Sequence, residues 1–215
     1  MTFLELCQRL RQEVGAAGSG PAAVSGQNGE AQRLVNWIRQ AWLEIQSQRA
    51  DWAFAWATGE IEMEDGYREY ALPNNFASFI PETIYLEDRR LRLITYPEFR
   101  RHFRKAKQEV PRYITVKPSG AASLDSSVEI DANPGETQFL TFEYFRLPQS
   151  LSLNTDVPRL PDHYHMAIVY RAMIQYGMYE NAPEVVQQGQ LNLERVMTDV
   201  ARTQLPAMEL GGPLA

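Results

Sequence analysis

The sequence predicts an α+β fold: a four-helix bundle built from N- and C-terminal helix pairs, with a mainly antiparallel β region inserted between them. Apolar residues recur at helical period near both ends of the chain, whereas the middle alternates at period two. Helices and strands are therefore segregated and do not alternate. Neither helix pair can bury its apolar faces alone, so the two pairs are expected to pack together. This places residues 1–52 and 161–205 in a discontinuous bundle domain, 53–160 in an inserted β-rich domain with one short helix, and 206–215 in a C-terminal tail. With 215 residues, 44% of them hydrophobic, such a chain can remove roughly 70% of its unfolded surface from water.

Thr2 stands three residues before Glu5, the reciprocal capping-box spacing, and Phe3, Leu6, Cys7, Leu10 and Val14 follow on one helical face. Residues 15–26, GAAGSGPAAVSG, read as a mobile loop. The lysine and Ser/Thr that a phosphate loop needs are missing there. Asn28 caps a second predicted helix to about residue 51, with Ala31, Leu34, Val35, Ile38, Ala41, Trp42 and Ile45 in one stripe. The tryptophans read as core.

From residue 52 the pattern becomes that of strands. Ile61 and Met63 alternate with Glu60, Glu62 and Glu64, and Asp65-Gly66 predicts a hairpin turn with 67–72 as the return strand. A second hairpin is expected with strands at 84–86 and 91–94 flanking Glu-Asp-Arg-Arg at 87–90. Further strands are expected at 113–116, 128–130 and 138–145. In the last, aromatic and aliphatic residues occupy both faces, which predicts cover on both sides. Residues 97–107 read as a short helix with proline in its first turn. Helices return at Pro161, the first with two apolar faces; Asn181, Pro183 and Glu184 then signal the start of another, whose stripe runs from Val186 to Val200.

The chemistry-bearing residues form no catalytic or metal constellation. His163 and His165 are two apart, turned away from each other on a helix, and His165 reads as a core histidine. Cys7, the sole cysteine, sits in an apolar stripe, which raises a thiol pKa and makes it a poor nucleophile; one cysteine also excludes an intrachain disulfide and fits a reducing compartment. Glu60, Glu62 and Glu64 share a strand face, a pattern that serves paired-carboxylate hydrolysis but is more often a solvated edge. No cofactor, metal or enzymatic activity is expected. The first dozen residues mix acidic and basic groups with no apolar run, unlike a signal peptide, and no stretch approaches a membrane span.

The net charge of −6 conceals a partition. Residues 89–117 carry ten basic groups (Arg89, Arg90, Arg92, Arg100, Arg101, Arg104, Lys105, Lys107, Arg112, Lys117) against Glu98 and Glu109, a net of +8 that leaves −14 elsewhere. Phe99 and Phe103, four apart, can anchor the helix that bears Arg100, Arg101, Arg104, Lys105 and Lys107. Three roles are open to this segment: a solvated face, a docking surface for an acidic partner or a neighbouring copy, and phosphate contact. In the last case the protein would be a nucleic-acid-binding regulator acting through 89–117, a reading that the overall acidity and the want of a helix-turn-helix or stacking motif oppose.

The stretch SGQNGEAQRLVNWIRQAWLEIQSQRADWAF, followed in order by YALPNNF, LITYPEFRRHF, VPRYITV and FEYFRLPQSLSLNTDVPRLPDHYHMAIVYRAMIQYG, resembles the head-to-tail adaptor (connector) proteins of tailed double-stranded DNA bacteriophages. The resemblance implies a structural virion protein made in the host cytoplasm. Copies would form a ring, a dodecamer, beneath the portal protein, extend the DNA channel, and offer a platform to a downstream tail or nozzle protein. Duplex DNA would pass through the lumen without sequence-specific binding, and the −14 remainder suits such a lumen because phosphates gain no grip on it. The resemblance also points to the C-terminal segment as a portal contact, with Met208, Leu210 and Leu214 filling apolar pockets. In a head-to-tail ring unlike patches meet, so Arg89, Arg90, Arg92, Arg100, Arg101, Arg104 and Lys105 are candidates for a subunit or tail interface, with Glu60, Glu62 and Glu64 as counterparts.

Overall fold

A computed structural model describes residues 1–103, 110–118 and 126–206. The fold is α+β and divides into two compact units: Met1–Ala55 with Pro148–Ala215, and Trp56–Leu147.

The first unit is helical. α1 spans Phe3–Glu13 and opens on the expected capping box, with Thr2 Oγ1 accepting from the Glu5 amide and Glu5 accepting from the Thr2 amide. Those bonds hold the Glu5 carboxyl below its usual range, the Thr2 backbone amide first. α2, Gly29–Ser47, buries Leu34, Val35, Ile38, Ala41, Trp42 and Ile45 on the predicted stripe. Its N-cap Asn28, however, makes no side-chain cap bond. The loop between them, expected to be mobile, is tied down by side chains of α1. Gln8 donates to the Pro21 carbonyl and Arg11 to that of Ala17, while the buried Val24 donates its amide to Asn154.

α4, Met166–Glu180, packs against α1, α2 and α5, the last spanning Pro183–Gln204. Small residues allow the close approach of α4 and α5: a Cβ at Gly177 would meet Val186 Cγ2 at 2.8 Å, and one at Gly189 the Tyr170 carbonyl at 3.1 Å. Asn181 is not an N-cap. It takes the left-handed conformation (φ 54°) that ends α4, and Ala182 precedes α5. Of the second apolar face read for α4, Ile174 is buried, while Met178 is 64% exposed.

Residues 148–160, expected among the strands, belong to the helical unit. Leu151 and Leu160 are buried in its core, Gln149 and Gln46 exchange two amide hydrogen bonds, and Arg39 donates to the Leu151 carbonyl. These bonds satisfy an irregular backbone that would otherwise be buried unpaired.

Two core residues carry testable consequences. His165 is fully buried, with Nε2 at 2.8 Å from the Leu160 carbonyl and Nδ1 at 2.8 Å from the Met1 amino nitrogen. Desolvation pushes its pKa below the ordinary histidine value. A histidine kept neutral in the fold protonates more readily when unfolded, so stability falls as pH drops below about 6.5. A urea-midpoint series from neutral to mildly acidic pH, paired with an NMR titration of the imidazole, is expected to show that loss. Cys7 is buried in α1 and its thiol is pushed up to about 12 by desolvation. Iodoacetamide is expected to leave it unmodified in the folded protein and to alkylate it in urea.

The second unit holds two sheets that share one core. The first runs β1 (Trp56–Met63), β9 (Gln138–Arg146), β4 (Tyr85–Leu86), β5 (Arg89–Arg90), with β3 (Phe76–Phe79) also paired to β9, all antiparallel. The second runs β2 (Glu69–Ala71), β8 (Ser127–Ile130), β7 (Tyr113–Lys117), β6 (Arg92–Leu93); its β6–β7 pair is parallel. Leu140, Phe142 and Tyr144 of the first sheet and Ile114, Val128 and Ile130 of the second meet in the core.

The Asp65-Gly66 hairpin expected from the sequence does not form. The chain turns there, but β1 pairs with β9 and β2 enters the other sheet. β9 is also not covered on both sides: Phe139 is 43% exposed on the face opposite Leu140 and Phe142. A hairpin forms across 87–90, but with a tighter turn than expected: Glu87-Asp88 is the turn, Arg89 and Arg90 are the return strand, and Arg92 and Leu93, expected to continue it, pair in the other sheet. The short helix α3 is described over Tyr96–Phe103; the remainder of the predicted 97–107 helix lies outside the described residues.

Candidate assembly surface

Strand register places the chemistry-bearing residues of the second unit. β1 buries Met63, while Trp56, Thr58, Glu60 and Glu62 on the alternate positions are exposed. Gly59 lets this strand lie close over the core: a Cβ there would sit 2.5 Å from Cζ of Phe142, whose ring is held edge-on by Phe79 at 5.1 Å. Across β9 the outward partners of Trp56, Thr58, Glu60 and Glu62 are Phe145, Glu143, Thr141 and Phe139. Trp56 Nε1 donates to Glu143 at 3.0 Å.

Thr141 is in turn opposite Tyr85 of β4, and Tyr85 is opposite Arg90 of β5. One row therefore crosses the outer face as Glu60, Thr141, Tyr85, Arg90, acidic at one edge and basic at the other. Beside it lies an open depression of about 650 Å³ lined by Thr58, Glu60, Glu82, Thr83, Tyr85 and Glu143. Its three carboxylates and four hydroxyl groups, that of Thr141 included, suit a cationic side chain rather than an anion.

The predicted acidic residues Glu60 and Glu62 are brought together on β1, and Glu64 follows just beyond its end, all exposed. The predicted basic residues are dispersed. Arg89 and Arg90 are on the edge strand β5, Arg92 is on β6 at the edge of the other sheet, and Arg100 and Arg101 are exposed on α3. Phe99 is fully buried and Phe103 stacks on Tyr113 at 5.1 Å, which anchors α3 with its arginines outward. Arg104 and Lys105, like Met208, Leu210 and Leu214, lie outside the described residues.

Two basic groups of the segment have local carboxylate partners. Lys117 donates to Glu69 at 2.6 Å, which, with Ser127, holds the Glu69 carboxyl below its usual range. Arg90 pairs with Glu82 at 3.2 Å, both side chains largely exposed. Arg89, Arg92, Arg100 and Arg101 make no ion pair among the described residues. Sequence reading missed Tyr85, Thr141 and Glu143, because their place beside Glu60 depends on pairing between strands far apart in the chain.

Among the described residues no group of three or more His, Cys, Asp and Glu side chains is arranged to hold a metal ion, and no helix is long and apolar enough to cross a membrane. A family model described as SU10 adaptor protein matches residues 1–213. No match to the chain was found among curated proteins.

Proposed function

Since the chain belongs to the SU10 adaptor protein family, we propose that it is a head-to-tail adaptor of the virion: a ring of identical copies under the portal that extends the DNA channel and carries the tail. The observation that carries this reading is the family match over residues 1–213, essentially the whole chain. The segregated helices and strands agree with it, and so does a surface whose charges are arranged for unlike contacts.

In this reading the helices α1, α2, α4 and α5 act as one bundle, and the strand unit is inserted in the sequence between α2 and α4. The protein works by holding partners in place and catalyses nothing. Met208, Leu210 and Leu214 engage the portal, and the subunit or tail interface uses Arg89, Arg90, Arg92, Arg100, Arg101, Arg104 and Lys105 with Glu60, Glu62 and Glu64. Twelve copies are implied by resemblance to connectors. DNA slides through because an acidic or neutral lumen adds no phosphate contacts that would release counterions and retain it.

Mixing the full chain with the portal of the same virus and imaging by negative stain tests this. A ring stacked on a ring is expected. Failure to bind the portal, both by microscopy and by co-sedimentation, overturns it.

A further inference from the structure

The strand unit carries opposite charges on opposite faces. Successive side chains of a strand point to opposite sides. In β7 Ile114 faces the core that the two sheets share, so Tyr113 points away from it, and it is on Tyr113 that Phe103 of α3 stacks at 5.1 Å. Phe99 is fully buried yet stands outside that core, with the Arg68 guanidinium over its ring at 5.9 Å. α3 is therefore a layer of its own on the far side of the second sheet. The layers run α3, second sheet, core, first sheet.

At the α3 end Arg100 and Arg101 are exposed, and Arg92 lines a groove beside the helix with Glu98 and His102. Arg101 and Arg92 have no ion pair among the described residues, and Arg100 has only the Tyr96 ring at 6.0 Å. At the other end the outer face of the first sheet holds the depression walled by Glu60, Glu82 and Glu143. Arg90 reaches Glu82 but is not one of the residues that line the depression. Trp56, Tyr85 and Phe139 stand exposed on this same face. A guanidinium arriving there meets carboxylates it can bond through two N–H groups and aromatic rings it can stack on.

Resting on the reading of the chain as a ring of identical copies, we propose how neighbours join: α3 of one copy docks on the outer face of the first sheet of the next, setting Arg100 and Arg101 at the depression walled by Glu60, Glu82 and Glu143. Unlike faces on opposite sides of one unit let the same contact repeat from copy to copy, the head-to-tail arrangement that closes into rings. The two symmetric alternatives are opposed by charge. α3 against α3 brings arginines together, and sheet face against sheet face brings carboxylates together.

The test uses the full chain and exchanges charges. One variant carries Arg100→Glu and Arg101→Glu, and so has two acidic faces; the other carries Glu60→Lys and Glu82→Lys, and so has two basic ones. All four side chains are exposed, and the Glu82–Arg90 pair lost in the second is a surface pair of small worth, so thermal melts are expected to match the wild type. Sedimentation velocity and negative-stain imaging, with and without the portal, are expected to show rings for the wild type. For either variant alone the concentration needed for assembly is expected to rise by about tenfold or more, as like charges meet. An equimolar mixture, in which unlike faces alternate, is expected to form rings as the wild type does. The contact itself is read by mixing Arg101→Cys chains with Thr58→Cys chains under oxidising conditions. A covalent dimer is expected in the mixture and in neither preparation alone, the native Cys7 being buried.

If both variants assemble as the wild type does, or the mixture gives neither rescue nor cross-link, this contact is overturned while the ring reading stands. If the arginine variant forms rings normally but loses an affinity for labelled duplex DNA that the wild type shows, the arginines serve phosphates and the contact is likewise overturned. If the wild type forms no ring by itself or on the portal, the ring reading fails and this inference with it.

Discussion

Trp42→Ala is expected to destabilise the helical unit by about 3–5 kcal/mol, the range for deleting a buried tryptophan. Trp42 is fully buried on the α2 stripe and tilts against Phe54 at 5.6 Å, which itself stacks on Trp52 at 5.5 Å. Removing the indole opens a cavity at the centre of that aromatic group. The contrast with Trp42→Phe separates packing from polarity. The Trp42 Nε1 proton has no hydrogen-bond partner among the described residues, whereas Nε1 of Trp52 donates to the Ile45 carbonyl at 3.2 Å. Phenylalanine at 42 thus loses part of the packing but also removes an unsatisfied buried donor. It is expected to cost less than half as much as alanine. Urea denaturation followed by far-ultraviolet circular dichroism measures both; equal losses would show that the indole N–H contributes to stability after all.

Asp131→Ala is expected to destabilise the strand unit by about 2–5 kcal/mol, since it strips the partner from two backbone donors, each worth about 1–3 kcal/mol when left buried. Asp131 is completely buried. Its Oδ1 accepts from the amides of Arg112 and Tyr113, both at 2.9 Å, and its own amide donates to the Tyr113 carbonyl at 3.1 Å. This clamp sets the start of β7. Arg92 depends on it, because its amide donates to the Arg112 carbonyl at 2.8 Å and β6 pairs with β7 there. Asp131→Asn keeps an acceptor in the same place and is expected to retain most of the stability. Amide exchange at Tyr113, alongside thermal melts, tests the clamp: unchanged protection in the alanine variant would assign the start of β7 to other contacts.

What was legible in the sequence was local. The α1 capping box, the α2 stripe and a hairpin across residues 87–90 each depend on residues within a few positions of one another, and each is present, the hairpin with a shorter turn than the sequence suggested. The capping reading at Asn181 failed because Asn serves both at an N-cap and in the left-handed conformation at a C-terminus, and the α4–α5 turn required the second. The turn at Asp65-Gly66 exists, but a turn does not decide which strand comes next to its flanks. β1 had β9 to pair with, nine residues long and apolar on its inner face, and that pairing buries more than the three-residue β2 would have done.

The assembly surface divides in the same way. Composition and spacing by themselves determined that the chain separates its charge, that Glu60, Glu62 and Glu64 share a strand face, and that Phe99 and Phe103 hold a basic helix down. Only the tertiary structure decided that Glu60 and Arg90 stand at the two ends of one row across a single sheet, and that Arg100 and Arg101 lie apart from that row on α3. Periodicity reports which face a side chain takes, because it is a property of neighbouring residues. The order of strands in a sheet is settled by burial and hydrogen bonding between distant segments, and no short stretch of sequence contains both partners.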